Sequence, residues 1–211
     1  MYAQTAFRMD DRADMAAFIE ARHFATLVVA GPNGPQAAHI PMILNRDAEG
    51  NLVTLEGHVS KANAVAAICA SPVRALAIFH GADAYVTPSW YETKREHGRV
   101  VPTWNYIAVQ VAGEITAFND AESLRSQIVR LTNMMESSAE APWAVSDAPG
   151  EYIAKLINGI TGLRLSIDSI EGSRKLSQNK SESDRMGVLD AFANSNDPAA
   201  RQLAQDMQKK A

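Results

Sequence analysis

Leu52-Val53-Thr54-Leu55-Glu56-Gly57-His58-Val59-Ser60-Lys61-Ala62-Asn63 is the stretch around which the rest of the chain is organised. From Leu52 to His58 apolar and polar residues alternate, which is the period of a strand with one face buried. The alternation ends in a polar cluster, His58 to Asn63, and the alanine-rich run Lys61 to Ala70 predicts a helix that Ser71-Pro72 stops. The first N–H groups of a helix lack partners within it, so a helix start beside a hydroxyl and an ammonium suits a phosphate monoester. The same residues also describe an ordinary cap with a solvated lysine, and spacing alone does not choose between them.

Outward from this strand the pattern is mostly β. Phe24 to Ala30 is a β-branched run, Gly31-Pro32-Asn33-Gly34-Pro35 a turn, and Gln36 to Leu44 a return strand, together a hairpin. Asn45 to Asn51 is a polar turn. Val73 to Phe79, Tyr85 to Thr87, Thr103 to Ile115 and Leu163 to Ile170 supply further strands. Glu92 to Arg99 lacks apolar periodicity and reads as a loop, and Glu171 to Ser183 as a polar segment.

Helices interrupt the strands rather than alternate with them. Asp10 or Asp11 caps the first, with Met15, Phe18 and Ile19 as its apolar stripe, and Asn119 or Asp120 opens a long one with Leu124, Ile128, Leu131 and Met135 on one face. A shorter helix follows Pro149, its stripe running through Tyr152, Leu156 and Ile160. Asp197-Pro198 starts the last, and Lys209-Lys210 suits the negative end of its dipole. The fold class expected is mainly β with α additions, a small antiparallel barrel of six to seven strands with peripheral helices. Residues 1–195 form the expected domain, and 196–211 a helical extension.

With 211 residues, 46% hydrophobic and 21% charged, the chain is that of an ordinary folded protein with one substantial core. No apolar run approaches the roughly 20 residues that span a bilayer, and Met1 to Asp14 carries acids where a secretory leader is basic, so a cytoplasmic protein is expected. The single cysteine, Cys69, lies in an apolar stretch and reads as a buried thiol. A net charge of −4 gives no general attraction to nucleic acid, although basic residues gather at Lys94, Arg95 and Arg99 and again at Arg174, Lys175, Lys180 and Arg185.

Hydrolase elbows, zinc-binding helices, Walker loops and dinucleotide-binding glycine motifs are all missing, and the five histidines stand singly, which disfavours a metal site. What the chain does carry, in order, are His39-Ile40-Pro41, Gly57 to Asn63, Pro88-Ser89-Trp90-Tyr91, His97-Gly98-Arg99-Val100-Val101-Pro102-Thr103-Trp104-Asn105-Tyr106 and Lys175-Leu176-Ser177-Gln178-Asn179-Lys180-Ser181. In these strings, and over nearly its whole length from Met1-Tyr2 to about Gly187-Val188, the chain resembles the PaiB-type FMN-binding negative transcriptional regulator family.

The resemblance implies an FMN-binding split β-barrel of Greek-key type, like that of pyridoxamine-phosphate-oxidase-like proteins, with the flavin at the interface of a homodimer. It implies that Ser60 and Lys61 hold the phosphate, that His39, Ile40, Pro41 and Met42 run beside the isoalloxazine, and that His58 and Asn63 belong to the same site. From the partner subunit, Trp104 and Asn105 would border the ring, and Lys175, Ser177 and Gln178 would close over the phosphate or the pyrimidine edge. For Trp90 and Trp104 the alternative is core or dimer packing. His97 and Arg99 read as solvated loop, and Trp143 as a packing residue.

Three functions follow from that fold. One is a flavin-binding regulator acting on DNA or another partner. Another is an FMN-dependent oxidoreductase of an unidentified small molecule, in which His39, His58 and His97 are the candidate proton donors. The third is a barrel that has exchanged flavin for another phosphorylated or aromatic ligand.

Overall fold

A computed structural model describes residues 1–209; Lys210, expected to help close the last helix, lies outside the described residues. In chain order come β1 (Arg8–Met9), α1 (Arg12–Arg22), β2 (Phe24–Gly31), β3 (Gly34–Pro41), β4 (Ile43–Arg46), β5 (Leu52–Ser60), α2 (Ala64–Ile68) and β6 (Val73–Val86). There follow α3 (Thr93–Glu96), β7 (Thr103–Phe118), α4 (Ala121–Glu136), α5 (Gly150–Ile157), β8 (Ile160–Lys175), α6 (Glu182–Ala193) and α7 (Pro198–Gln208). The chain divides into two compact units: a barrel unit, Ala16–Phe79 with Val111–Ile170, and a terminal unit, Met1–Met15 with His80–Gln110 and Glu171 onward.

In the barrel unit the strand order is β3-β2-β6-β7-β8-β5-β4. The β2–β3 hairpin pairs antiparallel from Phe24↔Pro41 to Gly31↔Gly34, as its turn chemistry predicts. β5 pairs antiparallel with β4 on one side and β8 on the other. β3 also comes back against β5, and Gly57 permits it: a Cβ there would stand 2.7 Å from the Pro41 carbonyl oxygen and 3.2 Å from Ile40 Cδ1. That approach sets His39 and Ile40 beside the end of β5.

Several elements depart from the expected boundaries for identifiable reasons. The expected strand Gln36–Leu44 breaks at Met42, whose N–H donates to the His23 carbonyl (2.8 Å) instead of the ladder, directly after a proline with no N–H to give. The helix expected over Lys61–Ala70 is only Ala64–Ile68, because Asn63 caps it and residues 61–63 form a turn. Val73–Phe79 and Tyr85–Thr87 are one long strand, Val73–Val86. β8 extends through part of the expected polar segment to Lys175, where β1 pairs with it at Ser173 and Gly172.

On α5 the buried residues are Ile153 and Ile157, which pack with Leu124 and Val145; Tyr152 and Leu156, expected in the core, are exposed. Trp143, expected to pack, is 45% exposed. Cys69 is buried, and burial pushes its thiol up to about 11, so it stays protonated and inert.

In the terminal unit, α3 replaces part of the expected loop Glu92–Arg99. Its start is secured from far along the chain, since Thr93 donates both its N–H (3.0 Å) and its hydroxyl (2.7 Å) to the buried Asp184 carboxylate on α6. The final helix has the expected cap, Asp197 accepting from Ala199 N–H, and buries Ala200, Leu203, Ala204 and Met207.

Candidate functional site

β5 presents Thr54, Glu56, His58 and Ser60 on one face, since strand side chains alternate. Glu56 is buried and ion-paired to Arg130 on α4 and Arg164 on β8, the latter at 2.6 Å. Burial is the largest single influence on its carboxyl and raises its pKa, but the hydrogen bonds and charges of the two arginines together outweigh it and hold the group below the usual glutamate range. His58 follows, half-buried, its Nδ1 2.9 Å from Oε1 of the fully buried Gln127 on α4. With the amide oriented this way Nδ1–H donates and Nε2 makes no hydrogen bond among the described residues. Gln127 Nε2 is buried without a hydrogen-bond partner among the described residues, a cost accepted to hold the ring.

Beyond His58 the face opens into a cleft of about 610 Å³. Its apolar wall comprises Ala38, Ile40, Val59, Leu156 and Ile160; its polar groups are His39, His58, Ser60, Asn63 and Lys155. A largely apolar recess with a few convergent polar groups, of about 300–1,000 Å³, is the usual form of a cofactor site. His39, at the far side, shares a hydrogen bond with Thr26 through Nδ1 (3.2 Å).

Of the residues that the sequence assigns to this half of the site, His39, Ile40, His58, Ser60 and Asn63 come together in the cleft. Pro41 is half-buried behind them, Met42 is buried in the core, and Lys61 is exposed, following directly on Ser60. Lys155 was missed. It stands beside Leu156 on the face of α5 that the apolar pattern assigned to the core, and only the burial of Ile153 and Ile157 turns it toward the cleft.

The phosphate argument made from helix N–H groups is narrowed by the backbone. Lys61 N–H donates to the Gly159 carbonyl (2.9 Å), Ala62 N–H to Ser60 Oγ (3.2 Å), Asn63 N–H to the Ser60 carbonyl (2.9 Å) and Val65 N–H to Asn63 Oδ1 (2.9 Å). The groups left for an anion are the Ala64 N–H and side chains: the Ser60 hydroxyl, which still has its hydrogen to donate, the Lys61 ammonium and Lys155.

The second set of expected residues lies in the terminal unit. Asn105 and Ser177 are both buried and bonded to each other, with Asn105 Nδ2 donating to Ser177 Oγ at 3.0 Å. Ser177 has φ +64°, in the left-handed region that costs a non-glycine residue, and the bond to Asn105 secures it. Gln178 folds back on the same turn, accepting from Leu176 N–H (2.6 Å) and donating to the Arg174 carbonyl. Lys175 donates to Thr103 Oγ1 (2.5 Å) and lies over the Phe7 ring. Trp104 is 52% exposed and packs edge-on against Tyr85.

Residues 1–169 match a family described as "Putative FMN-binding domain". The chain belongs to this family. FMN, the cofactor expected from the sequence, is the one by which the FMN-binding family is described, and the cleft's apolar wall, hydroxyl, imidazoles and amines fit a flavin mononucleotide in size and donor chemistry. The chain is 35% identical over 211 aligned residues to an uncharacterized protein of Emericella nidulans, covering 85% of this chain and 84% of that one. It is 28% identical over 210 residues to the Bacillus subtilis protease synthase and sporulation protein PAI 2, covering 100% of this chain and 98% of that one. Its fold is similar to the structure of the FAD and heme binding protein from Mycobacterium smegmatis, with TM-score 0.57, 16% identity and coverage of 80% and 73% of the two chains. The fold of this FMN-binding family is the split barrel. Among the described residues, no helix is long and apolar enough to cross a membrane.

Proposed function

We propose that the protein binds FMN in the cleft of the barrel unit, acts as a homodimer in which the neighbour closes that cleft, and serves a regulatory role. One observation carries the flavin placement: His39, His58, Ser60 and Lys155 converge on a single cleft with an apolar wall. Ser60, Lys61 and Lys155 would take the phosphate, a hydroxyl donor beside two point charges. Ile40 and Leu156 would flank the ring. The homodimer is supported by the exposed apolar residues Tyr152 and Leu156, 56% and 51% exposed, on the helix that lines the cleft. A regulatory role is supported by similarity to the sporulation protein PAI 2. The net charge of −4 argues for a partner other than duplex DNA.

A second reading, an FMN-dependent oxidoreductase acting on a small molecule, is favoured by His58. Bound flavin supplies hydride and electron chemistry itself. The protein would contribute an imidazole fixed by Gln127, with Nε2 able to hold or release a proton.

The test is an FMN titration, read by flavin fluorescence, of the wild type beside Lys61→Ala. Saturable binding that weakens at least about tenfold, or ~1.4 kcal/mol, in the variant is the expected result. A wild type that takes up no FMN overturns the placement and the function with it. Light scattering on the FMN-loaded protein is expected to give a dimer mass; a stable flavin-loaded monomer refutes the shared cleft. Anaerobic mixing with NADH or NADPH then separates the two readings, since an unbleached flavin spectrum argues against a nicotinamide-linked reductase.

A further inference from the structure

The terminal unit contains a recess of about 400 Å³ whose lining includes Gln178, a residue that the sequence assigns to the partner's closure of the flavin site. Arg174, Lys180 and Arg185 supply three cations to its lining and Glu182 a carboxylate, while the buried Leu176 and Met207 contribute a small apolar edge. Both arginines are largely withdrawn from water, their side chains 17% and 16% exposed. Their ion pairs are long for that degree of burial: Arg174 Nη1 stands 3.5 Å from Asp14, and Arg185 Nη1 3.6 Å from Glu182. The short bond that Arg185 makes, 2.8 Å from Nη2, goes to the neutral Met207 carbonyl. Each guanidinium has five N–H donors, and desolvating them without matched acceptors is costly.

Lys180 adds a charge with no salt-bridge partner among the described residues. Its ammonium lies over the face of the buried Tyr91 ring, 4.7 Å from the centroid. The nearby carboxylate of Asp184 is committed to the N–H and hydroxyl of Thr93. Two of the three cations are forks that match tetrahedral oxygens in pairs.

We propose that this recess binds a small organic phosphate, with the monoester dianion held by Arg174, Lys180 and Arg185 and its apolar portion against Leu176 and Met207. A phosphomonoester carries about −1.5 to −2 charges at neutral pH and presents tetrahedral oxygens to both guanidinium forks at once, whereas a single carboxylate offers two oxygens in one plane. The side chains proposed for the flavin phosphate, Ser60, Lys61 and Lys155, are not among the residues that line this recess.

Isothermal titration of the full chain with phenyl phosphate, inorganic phosphate and benzoate tests the assignment. Phenyl phosphate is expected to bind saturably and more tightly than either of the others. Lys180→Gln should weaken it at least about tenfold, and Lys61→Ala should leave it unchanged. Arg174→Lys, which retains charge but removes the fork, should also weaken it severalfold with an unchanged circular dichroism spectrum. No saturable binding by the wild type overturns the proposal. So does loss of binding in Lys61→Ala with retention in Lys180→Gln, which would place the phosphate in the flavin cleft, and so does benzoate binding as tightly as phenyl phosphate.

Discussion

Replacing Glu56 with glutamine removes one negative charge from between two arginines while keeping the side chain's shape. Breaking a fully buried ion pair on one side costs about 3–5 kcal/mol, and an exposed pair is worth about 0–1 kcal/mol. Glu56 belongs near the first limit, with its side chain 6% exposed, but Arg130 and Arg164 are 43% and 46% exposed and can regain water. Glutamine also keeps an oxygen that can accept from one of them. The expected loss is therefore intermediate, about 2 kcal/mol, which for a chain of this size lowers the melting temperature by roughly 4–8 °C.

The pH dependence has a definite sign. Because the folded carboxyl is held below its ordinary value, its contribution is fully present above the unfolded glutamate pKa of about 4.3 and is lost as pH falls through the lower folded value. Wild type and Glu56→Gln should differ most at neutral pH and converge in acid. Thermal unfolding of both proteins across that range, followed by circular dichroism, is the assay. Equal melting temperatures at neutral pH, or a gap that widens toward acid, would show that the two arginines do not stabilise the folded carboxylate.

Gln127→Leu removes the acceptor of His58 Nδ1 together with a buried amide nitrogen that has no partner among the described residues. Stability should change by less than about 1 kcal/mol, while FMN affinity shifts severalfold and the His58 ring resonances move; unchanged resonances and affinity would assign Gln127 to packing alone. Gly187→Ala places a Cβ 2.1 Å from the Trp90 carbonyl oxygen, a backbone atom with no rotamer to relieve the clash. A loss of about 2–3 kcal/mol in denaturant unfolding is expected, and a variant as stable as the wild type would mean that α6 is free to shift away from Trp90.

Strands and helix caps were legible because they are local. Turn residues fixed the β2–β3 hairpin, and Asp120 and Asp197 cap the helices they precede. What sequence could not supply depends on partners far along the chain. α3 begins where it does because of Asp184, 91 residues away, and no window around Glu92–Arg99 contains that information. On α5 the apolar residues Tyr152, Ile153, Leu156 and Ile157 are compatible with more than one buried face. Packing against Leu124 selects Ile153 and Ile157, and so delivers Lys155 and Leu156 to the cleft. Within the candidate site the residues of one strand end were found by motif, whereas Gln127 and Lys155 carry no motif of their own.

The polar face of β5 explains why the cleft opens where it does. Thr54 is engaged by Asn45 across the β4 ladder, Glu56 by the arginines of α4 and β8, and His58 by Gln127. Gln127 and Arg130 are three residues apart on α4, hence on one helical face, so a single helix fastens two successive polar residues of the strand. This row of partners stops at Ser60, whose oxygen accepts from Ala62 N–H but whose hydroxyl hydrogen is not used within the turn. The strand is therefore rigidly held up to the position at which protein partners run out, and a ligand acceptor at Ser60 continues the same row. A site built in this way keeps its geometry in the absence of ligand, because each residue that orients the strand is already satisfied by α4, β4 or β8.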